Sequence, residues 1–164
     1  MKKLIAVFIF IVFNFLLGLS FAEEKEFREN DAYKLACKGI DYCKAAEKIW
    51  SDYKVDQYCR KALRFFHKAL RIGGLTEKEL IDVYVNQGAC YGYMRYYNKA
   101  AESFSKALKI EPENILALLN RAVNYANTGQ KFKAMEDLEK VIELDSHSPQ
   151  GEFAQKAEEI LDRL

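Results

Sequence analysis

The sequence predicts an all-α fold in which helical repeats stack into an elongated array. Residues 81–114 align with 115–148 at a fixed spacing of 34 residues, so that Asn86 falls on Asn120. Apolar side chains within each unit recur with helical spacing, and the chain contains only two prolines, as long uninterrupted helices require. Nothing after residue 22 has the alternating pattern of a strand.

Four segments carry the same apolar stripe, with side chains at relative positions that share one face of a helix. A stripe of this kind buries one side of each helix against its neighbours. The four stripes are Ala62, Leu63, Phe66, Ala69 and Leu70; Ala100, Ala101, Phe104, Ala107 and Leu108; Ala134, Met135, Leu138, Val141 and Ile142; and Phe153, Ala154, Ala157, Ile160 and Leu161.

Local signals place the helix boundaries. The pair Gly73 and Gly74 ends one helix, and Thr76 with Glu79 forms a capping box that opens the next. Pro112 is expected at a helix start, where its missing N–H costs least. The same reasoning puts Pro149 at a helix start. Gly129 suits the turn between two helices, because glycine commonly follows a helix end. The predicted helices lie near 29–38, 42–53, 57–72, 77–94, 98–110, 113–127, 131–144 and 150–163.

The composition narrows the class of function. The chain has 164 residues and a formal net charge of +1, so it lacks the cationic excess of a dedicated nucleic-acid binder. Its two histidines, His67 and His147, stand outside any catalytic motif, and no Cys-x-x-Cys pair or Gly-rich phosphate loop occurs. We therefore expect no enzymatic activity, no metal, no cofactor and no small-molecule substrate.

Residues 1–22 are typical of a secretory signal peptide. Two lysines precede an apolar run, and the small residues Ser20 and Ala22 stand just before Glu23. The alternative is a retained membrane anchor through 4–21, although this run is short for a span of about 20 residues. We expect an exported protein, periplasmic or extracellular.

Two consecutive units share a recurring set of residue types, and small residues such as Gly88 and Ala122 stand where two helices must approach closely. The set is Tyr84, Gln87, Gly88, Tyr91, Ala100, Phe104 and Pro112 in one unit, and Leu118, Ala122, Tyr125, Gly129, Ala134 and Leu138 in the next. These units resemble the tetratricopeptide repeat, known as TPR, and we expect an exported bacterial member of that family. Arg95 stands where the family usually has a turn glycine. The resemblance implies a right-handed α–α superhelix of about three repeats.

The resemblance divides the chain into six parts. They are the signal peptide 1–22, N-terminal helices of a degenerate repeat at 23–56, the second helix of repeat one with a linker at 57–80, repeats at 81–114 and 115–148, and a capping helix at 149–164. In the capping helix, Phe153, Ala157, Ile160 and Leu164 are expected to pack inward and cover the apolar end of the array.

The pairing of the N-terminal helices stays open at this stage. In one arrangement, a helix around Tyr33 and Ile40 pairs with a second helix around Tyr42 and Ile49. In the other, 42–53 pairs with 57–72 and the first helix stands alone.

The four cysteines suggest disulfides in an oxidising compartment. Cys59 and Cys90 lie at equal distances from the turn between Gly74 and Leu75, and Cys37 and Cys43 lie at equal distances from Ile40. Equidistance places residues opposite each other in antiparallel helices. We therefore expect the pairs Cys37–Cys43 and Cys59–Cys90, against the alternative of four reduced, buried thiols.

The family resemblance implies a concave groove lined by the first helix of each unit, and hence a protein or extended peptide as partner. An asparagine amide can donate to and accept from a peptide backbone at once, and an exposed tyrosine can anchor a ligand. The alternative function is a structural scaffold that self-associates as a homo-oligomer or supports an envelope assembly. The expected groove residues are Asp82, Asn86, Ala89, Tyr93, Leu116, Asn120, Val123 and Asn127.

Overall fold

The computed structural model describes residues 30–48, 52–146 and 151–164, and within these ranges it contains seven helices and no strand. This confirms the all-α prediction. The proposed signal peptide 1–22 and Pro149 lie outside the described residues. The helices are α1 (30–47), α2 (Asp52–Ile72), α3 (Glu77–Tyr93), α4 (Tyr97–Ile110), α5 (Ile115–Asn127), α6 (Lys131–Asp145) and α7 (Glu152–Leu161).

The first two predicted helices are one continuous helix, α1, so the break expected near Ile40 is wrong. Gly39 would ordinarily weaken a helix interior. Here it is buried, and a Cβ at that position would collide with the ring of Phe66 on α2. The glycine is therefore a spacer that lets α1 and α2 approach, and both pairings left open from the sequence are replaced by α1 with α2.

The same small-against-large contact joins the helices of the next unit. A Cβ at Gly88 on α3 would lie 2.7 Å from the ring of Phe104 on α4. In the third unit Ala122 and Leu138 are both fully buried at the corresponding positions. Three helix pairs, α1–α2, α3–α4 and α5–α6, therefore share one packing scheme.

The helix termini largely follow the predicted signals. The Thr76 hydroxyl accepts the N–H of Glu79 at 3.3 Å, and the Glu79 carboxylate accepts the N–H of Thr76 at 2.8 Å, which confirms the capping box. Gly129 has a φ of +73° in the turn between α5 and α6. Arg95, in the matching turn between α3 and α4, is forced to a φ of +60°.

Pro112 does not start a helix as predicted. It lies in a turn, and α5 begins at Ile115 because Asn114 provides the stronger start signal. The side-chain oxygen of Asn114 accepts the N–H of Ala117 at 2.9 Å, which satisfies one of the free donors of the first turn.

Polar pairs at equivalent positions join the two helices of the second and third units. Gln87 and Ser103 are buried, and the Ser103 hydroxyl donates to the Gln87 side-chain oxygen at 3.5 Å. In the third unit Arg121 donates to both carboxylate oxygens of Asp137, at 2.6 and 2.8 Å. The same guanidinium also donates to the Ser105 hydroxyl at 2.9 Å.

The last helix covers the end of the array, as the apolar pattern predicts. Ala157 is fully buried, and Ile160 and Leu164 pack against the core of the preceding repeats, whereas Phe153 remains 37% exposed. The buried carboxylate of Asp145, at the end of α6, accepts the N–H groups of Phe153 and Ala154 at 2.8 and 2.9 Å. A carboxylate at a helix N-terminus is stabilised by the helix dipole, so Asp145 fastens α7 to the last repeat.

Candidate functional site

A cleft of about 220 Å³ lies where α3 and α5 meet on the side of the first helices. Five of the eight predicted groove residues line it: Ala89, Tyr93, Asn120, Val123 and Asn127. The remaining lining residues were not predicted: Gly92, Tyr97, Phe104 and Asn124. The predicted Asp82, Asn86 and Leu116 lie outside this cleft.

The asparagines of α5 form a row of amides along the cleft. The side-chain N–H groups of Asn120, Asn124 and Asn127 each donate to the carbonyl oxygen four residues earlier, at 2.8, 2.7 and 2.8 Å. These bonds hold the side chains against their own helix. Because a primary amide has two N–H donors and a carbonyl acceptor, each retains hydrogen-bonding capacity for a ligand.

Asn124 is the site residue that sequence reasoning missed most clearly. It is 6% exposed and lies opposite Gly92, whose added Cβ would stand 3.4 Å from the Asn124 side-chain oxygen. Asn120, Asn124 and Asn127 follow the helical spacing of one face, so the sequence did contain a signal for it. The glycine at 92 leaves room for the buried amide.

Tyr93 is a half-exposed aromatic side chain that lines the cleft. It is 47% exposed. Partial burial, followed by the negative charge of Glu47 on α1, raises the pKa of Tyr93 to about 12. The phenol therefore stays protonated at physiological pH and can donate a hydrogen bond to a carbonyl or carboxylate.

The predicted groove residues outside the cleft sit nearer α1 or in solvent. The Asn86 amide donates to the Asp82 carbonyl at 2.8 Å, which repeats the arrangement on α5. The backbone carbonyl of Asn86 accepts a hydrogen bond from the Cys43 thiol of α1 at 3.6 Å. Leu116 is 48% exposed. The first-helix surface thus continues from α5 through α3 to α1.

The cysteines are arranged differently from the prediction, and all four are free thiols. Cys37 and Cys43 lie on the same helix α1, about 9 Å apart along its axis, which is too far for a disulfide. Cys37 lies instead one turn after Tyr33, and its proximity raises the pKa of the Tyr33 phenol. The expected pair Cys37–Cys43 is therefore wrong, because the turn that would have brought the two together does not exist.

Three buried thiols meet where α1, α2 and α3 pack together. Hydrogen bonds with Cys43 and Cys59, together with burial, raise the pKa of Cys90. The hydrogen bond from Cys90 lowers the pKa of Cys59. Cys59 and Cys90 are thus neighbours, as their register predicts. The Cys59–Cys90 disulfide stays a prediction.

Neither a metal centre nor a membrane span is found in the part of the chain that the structure describes. No group of three or more His, Cys, Asp or Glu side chains there is arranged to hold a metal ion. No helix within the described ranges combines the length and apolarity needed to cross a bilayer.

Family models decide the nature of the two regular units. Residues 81–114 and 115–148 each match a model described as tetratricopeptide repeat. Residues 81–148 are two tetratricopeptide repeats. Their matched bounds coincide with the units predicted from the internal spacing.

A solved structure extends the TPR fold beyond these two repeats. The chain superposes on the TPR domain of Arabidopsis OM64 with a TM-score of 0.62 and 23% sequence identity, over 83% of this chain and 98% of that domain. The likeness supports an all-α TPR solenoid that includes the first helix pair. TPR domains generally mediate protein–protein interaction by binding protein or peptide partners.

Curated relatives share only a part of their length with this chain. It is 31% identical over 77 residues to a probable UDP-N-acetylglucosamine–peptide N-acetylglucosaminyltransferase, SPINDLY, of Solanum lycopersicum. It is 34% identical over 73 residues to sperm-associated antigen 1 of Rattus norvegicus. The chain spans 8% of the length of each.

A human relative matches a larger share of this chain. DnaJ homolog subfamily C member 7 of Homo sapiens is 25% identical over 124 residues, which make up 76% of this chain and 25% of the relative. These relatives are eukaryotic, so the comparisons give no support to the expected exported bacterial member of the family.

Proposed function

We propose that the chain is a non-catalytic adaptor that binds an extended peptide segment of a partner protein across α3 and α5. The observation that carries this proposal is that the amide row of α5 and Tyr93 line the same cleft. Side-chain amides there can pair with the N–H and C=O groups of an extended backbone, while the partly apolar cleft accepts a ligand side chain.

The chemistry of the cleft supports a neutral or weakly charged peptide over a terminal carboxylate. Among the residues that the structure describes, no lysine or arginine lines it. Binding would rest on backbone hydrogen bonds to Asn120 and Asn127 and on apolar contact with Val123 and the tyrosines.

The test uses the purified full chain and a displayed library of random peptides. Peptides enriched on the wild type should lose about tenfold or more in affinity for Tyr93→Ala combined with Asn120→Ala, measured by fluorescence anisotropy. Asn86→Ala is the matched control, because it removes the same type of amide, with the same bond to its own helix, outside the cleft. An equal loss in the control, or no enriched peptide, would contradict the proposal.

Self-association is the second candidate function, and one surface favours it. Phe132 on α6 is 89% exposed, and Met135, one turn later, is 38% exposed. The two residues are three positions apart and so share a face of α6, and an exposed apolar patch can mark a protein–protein contact. A mass in light scattering that rises with protein concentration, and falls for Phe132→Lys, would favour a homo-oligomeric scaffold.

We further propose that the chain is exported, with removal of residues 1–22. The support is the charged start, the apolar run and the small residues before Glu23. The mass of the protein recovered from the secreting cell would decide between cleavage after Ala22 and retention of the apolar segment as an anchor.

A further inference from the structure

A second concave surface lies at the N-terminal end of the array, between α1 and α2, remote from the peptide cleft. It encloses about 370 Å³, and we call it the end face. Its floor is aromatic: the rings of Tyr42 and Phe65 stack with centroids 5.6 Å apart and planes 9° apart. Its lining residues are Tyr42, Lys61, Arg64, Phe65 and Lys68.

The end face occupies a position that recurs in every repeat. The ammonium group of Lys61 lies 5.6 Å from the ring centre of Tyr42. The same contact recurs between Lys99 and Tyr91 at 5.8 Å. In the third repeat it joins Lys133 to the ring of Tyr125 at 5.3 Å. These contacts establish which residues of the three repeats correspond.

In the second and third repeats, the surface that corresponds to the end face is bordered by a helix of the preceding repeat. His67 and Leu70 of α2 line the pocket that contains Tyr91 and Ser103. Ser105 and Leu108 of α4 line the next pocket, against α5 and α6. Within the described ranges, no helix stands in this place at the first repeat, since only α1 and α2 line the end face.

The side chains of the end face differ from their internal counterparts. Phe65 stands where the other repeats have Ser103 and Asp137, and Arg64 stands where they have Glu102 and Glu136. An apolar ring and a cation thus replace two polar or acidic side chains. A terminal repeat adapted only to water would have the opposite bias.

The end face is also strongly cationic. The segment 57–72 contains five lysines and arginines and no acidic residue. In the part of the chain that the structure describes, no carboxylate pairs with Lys61, Arg64 or Lys68; on α2 the described ion pair joins Arg60 to Asp56 at 2.6 Å. The charged side chains that flank Tyr42 along α1 are exposed and of both signs: Lys38, Asp41 and Lys44.

We propose that the end face is a docking site for an acidic amphipathic helix of a partner protein, which would continue the stack of helices beyond α1. The apolar side of that helix would cover Tyr42 and Phe65, as a preceding repeat does at the internal junctions. Its acidic residues would pair with Lys61, Arg64 and Lys68.

The spacing of the three cations suits a helix better than a flat surface. They lie at successive turns of one face of α2 and span about 10 Å along its axis. Glutamates at similar spacing on a helix packed alongside would meet all three. A concave aromatic floor adds apolar burial, which an isolated anion would not use.

The probe for the test is a fluorescent, end-blocked helical peptide of about 18 residues, five turns, with leucines along one face and glutamates beside them. We expect the full chain to bind it, and Arg64→Glu with Lys68→Glu to weaken binding about tenfold or more. Phe65→Ser, which imitates Ser103, should also weaken binding. Lys106→Glu is the matched control at the position corresponding to Lys68 and should leave the affinity unchanged.

Several outcomes would overturn the proposal. They are binding of a peptide with lysines in place of the glutamates at equal affinity, an equal loss in the Lys106→Glu control, and no binding of the acidic peptide. Preferential binding of phosphatidylglycerol vesicles or of inorganic pyrophosphate would assign the end face to a membrane or to a small anion instead. Because the cleft at α3 and α5 is left unaltered, failure here leaves the peptide-cleft proposal standing, and the reverse also holds.

Discussion

The repeats 81–114 and 115–148 have the same backbone plan but solve the same packing problem with different side chains. Where α3 meets α4, Gly88 receives the ring of Phe104. Where α5 meets α6, Ala122 is larger than Gly88 by a methyl group, and its partner Leu138 is smaller than Phe104. Both Ala122 and Leu138 are fully buried. The pair of volumes is adjusted together, because a close-packed interior tolerates neither an overlap nor a void.

The polar pair that joins the two helices of each repeat differs more between the repeats than the apolar pair does. Gln87 and Ser103 form a single neutral hydrogen bond of 3.5 Å. Arg121 and Asp137, at the same two positions, form a bidentate pair with the carboxylate 4% exposed. One repeat therefore depends on a desolvated ion pair, and its neighbour does not.

The largest predicted effect comes from breaking that ion pair. Arg121→Ala should lower the free energy of unfolding by about 3 kcal/mol, because it leaves the Asp137 carboxylate buried without its partner. Gln87→Ala, at the matching position, should cost only about 1 kcal/mol. Denaturant unfolding followed by circular dichroism measures both.

A double substitution that copies the polar pair of one repeat into the other tests this prediction further. Arg121→Gln combined with Asp137→Ser copies the second repeat into the third and should restore most of the stability lost in Arg121→Ala. Equal costs for Arg121→Ala and Gln87→Ala would show that the carboxylate does not depend on the guanidinium.

The second-largest effect on stability comes from the paired side-chain volumes at Gly88 and Phe104. Gly88→Ala should cost about 2 kcal/mol, because the new methyl group overlaps the Phe104 ring. Adding Phe104→Leu reproduces the third repeat and should recover part of that loss, as measured by thermal unfolding. If the double variant is no more stable than Gly88→Ala, the two positions are not coupled.

The smallest effect lies in the turns. Arg95 has a φ of +60°, and its counterpart Gly129 has a φ of +73°. Arg95→Gly should stabilise the protein by about 1 kcal/mol, because a left-handed conformation strains a side chain with a Cβ. Gly129→Arg should destabilise it, and a rise in melting temperature for that variant would refute the strain argument.

The regular part of the fold could be predicted because 81–114 and 115–148 repeat each other and the second helix of each unit carries an apolar stripe. The first repeat could not, since Gly39 suggests a helix break when viewed alone. Its meaning depends on Phe66, a residue distant in sequence. The mistaken disulfide Cys37–Cys43 follows directly from that missing contact.

The cleft was predicted in part, for a similar reason. The repeat register identified Asn120, Val123 and Asn127, because residues one repeat apart occupy equivalent positions. It did not identify Asn124 with Gly92, because that pair depends on the close approach of α3 to α5. The spacing of Asn124 from Asn120 and Asn127 places it on their face of α5, but its burial against Gly92 depends on how two helices pack.

The buried side chains of Cys43, Cys59 and Cys90 allow chemical labelling to detect local unfolding of the part of the chain that buries them. All lie where the first repeat meets the second, and the third repeat has no cysteine. In the reduced protein, a thiol reagent in excess can therefore react with these three cysteines only when that junction opens. Labelling rates would measure how often the N-terminal end detaches while the rest of the solenoid stays folded.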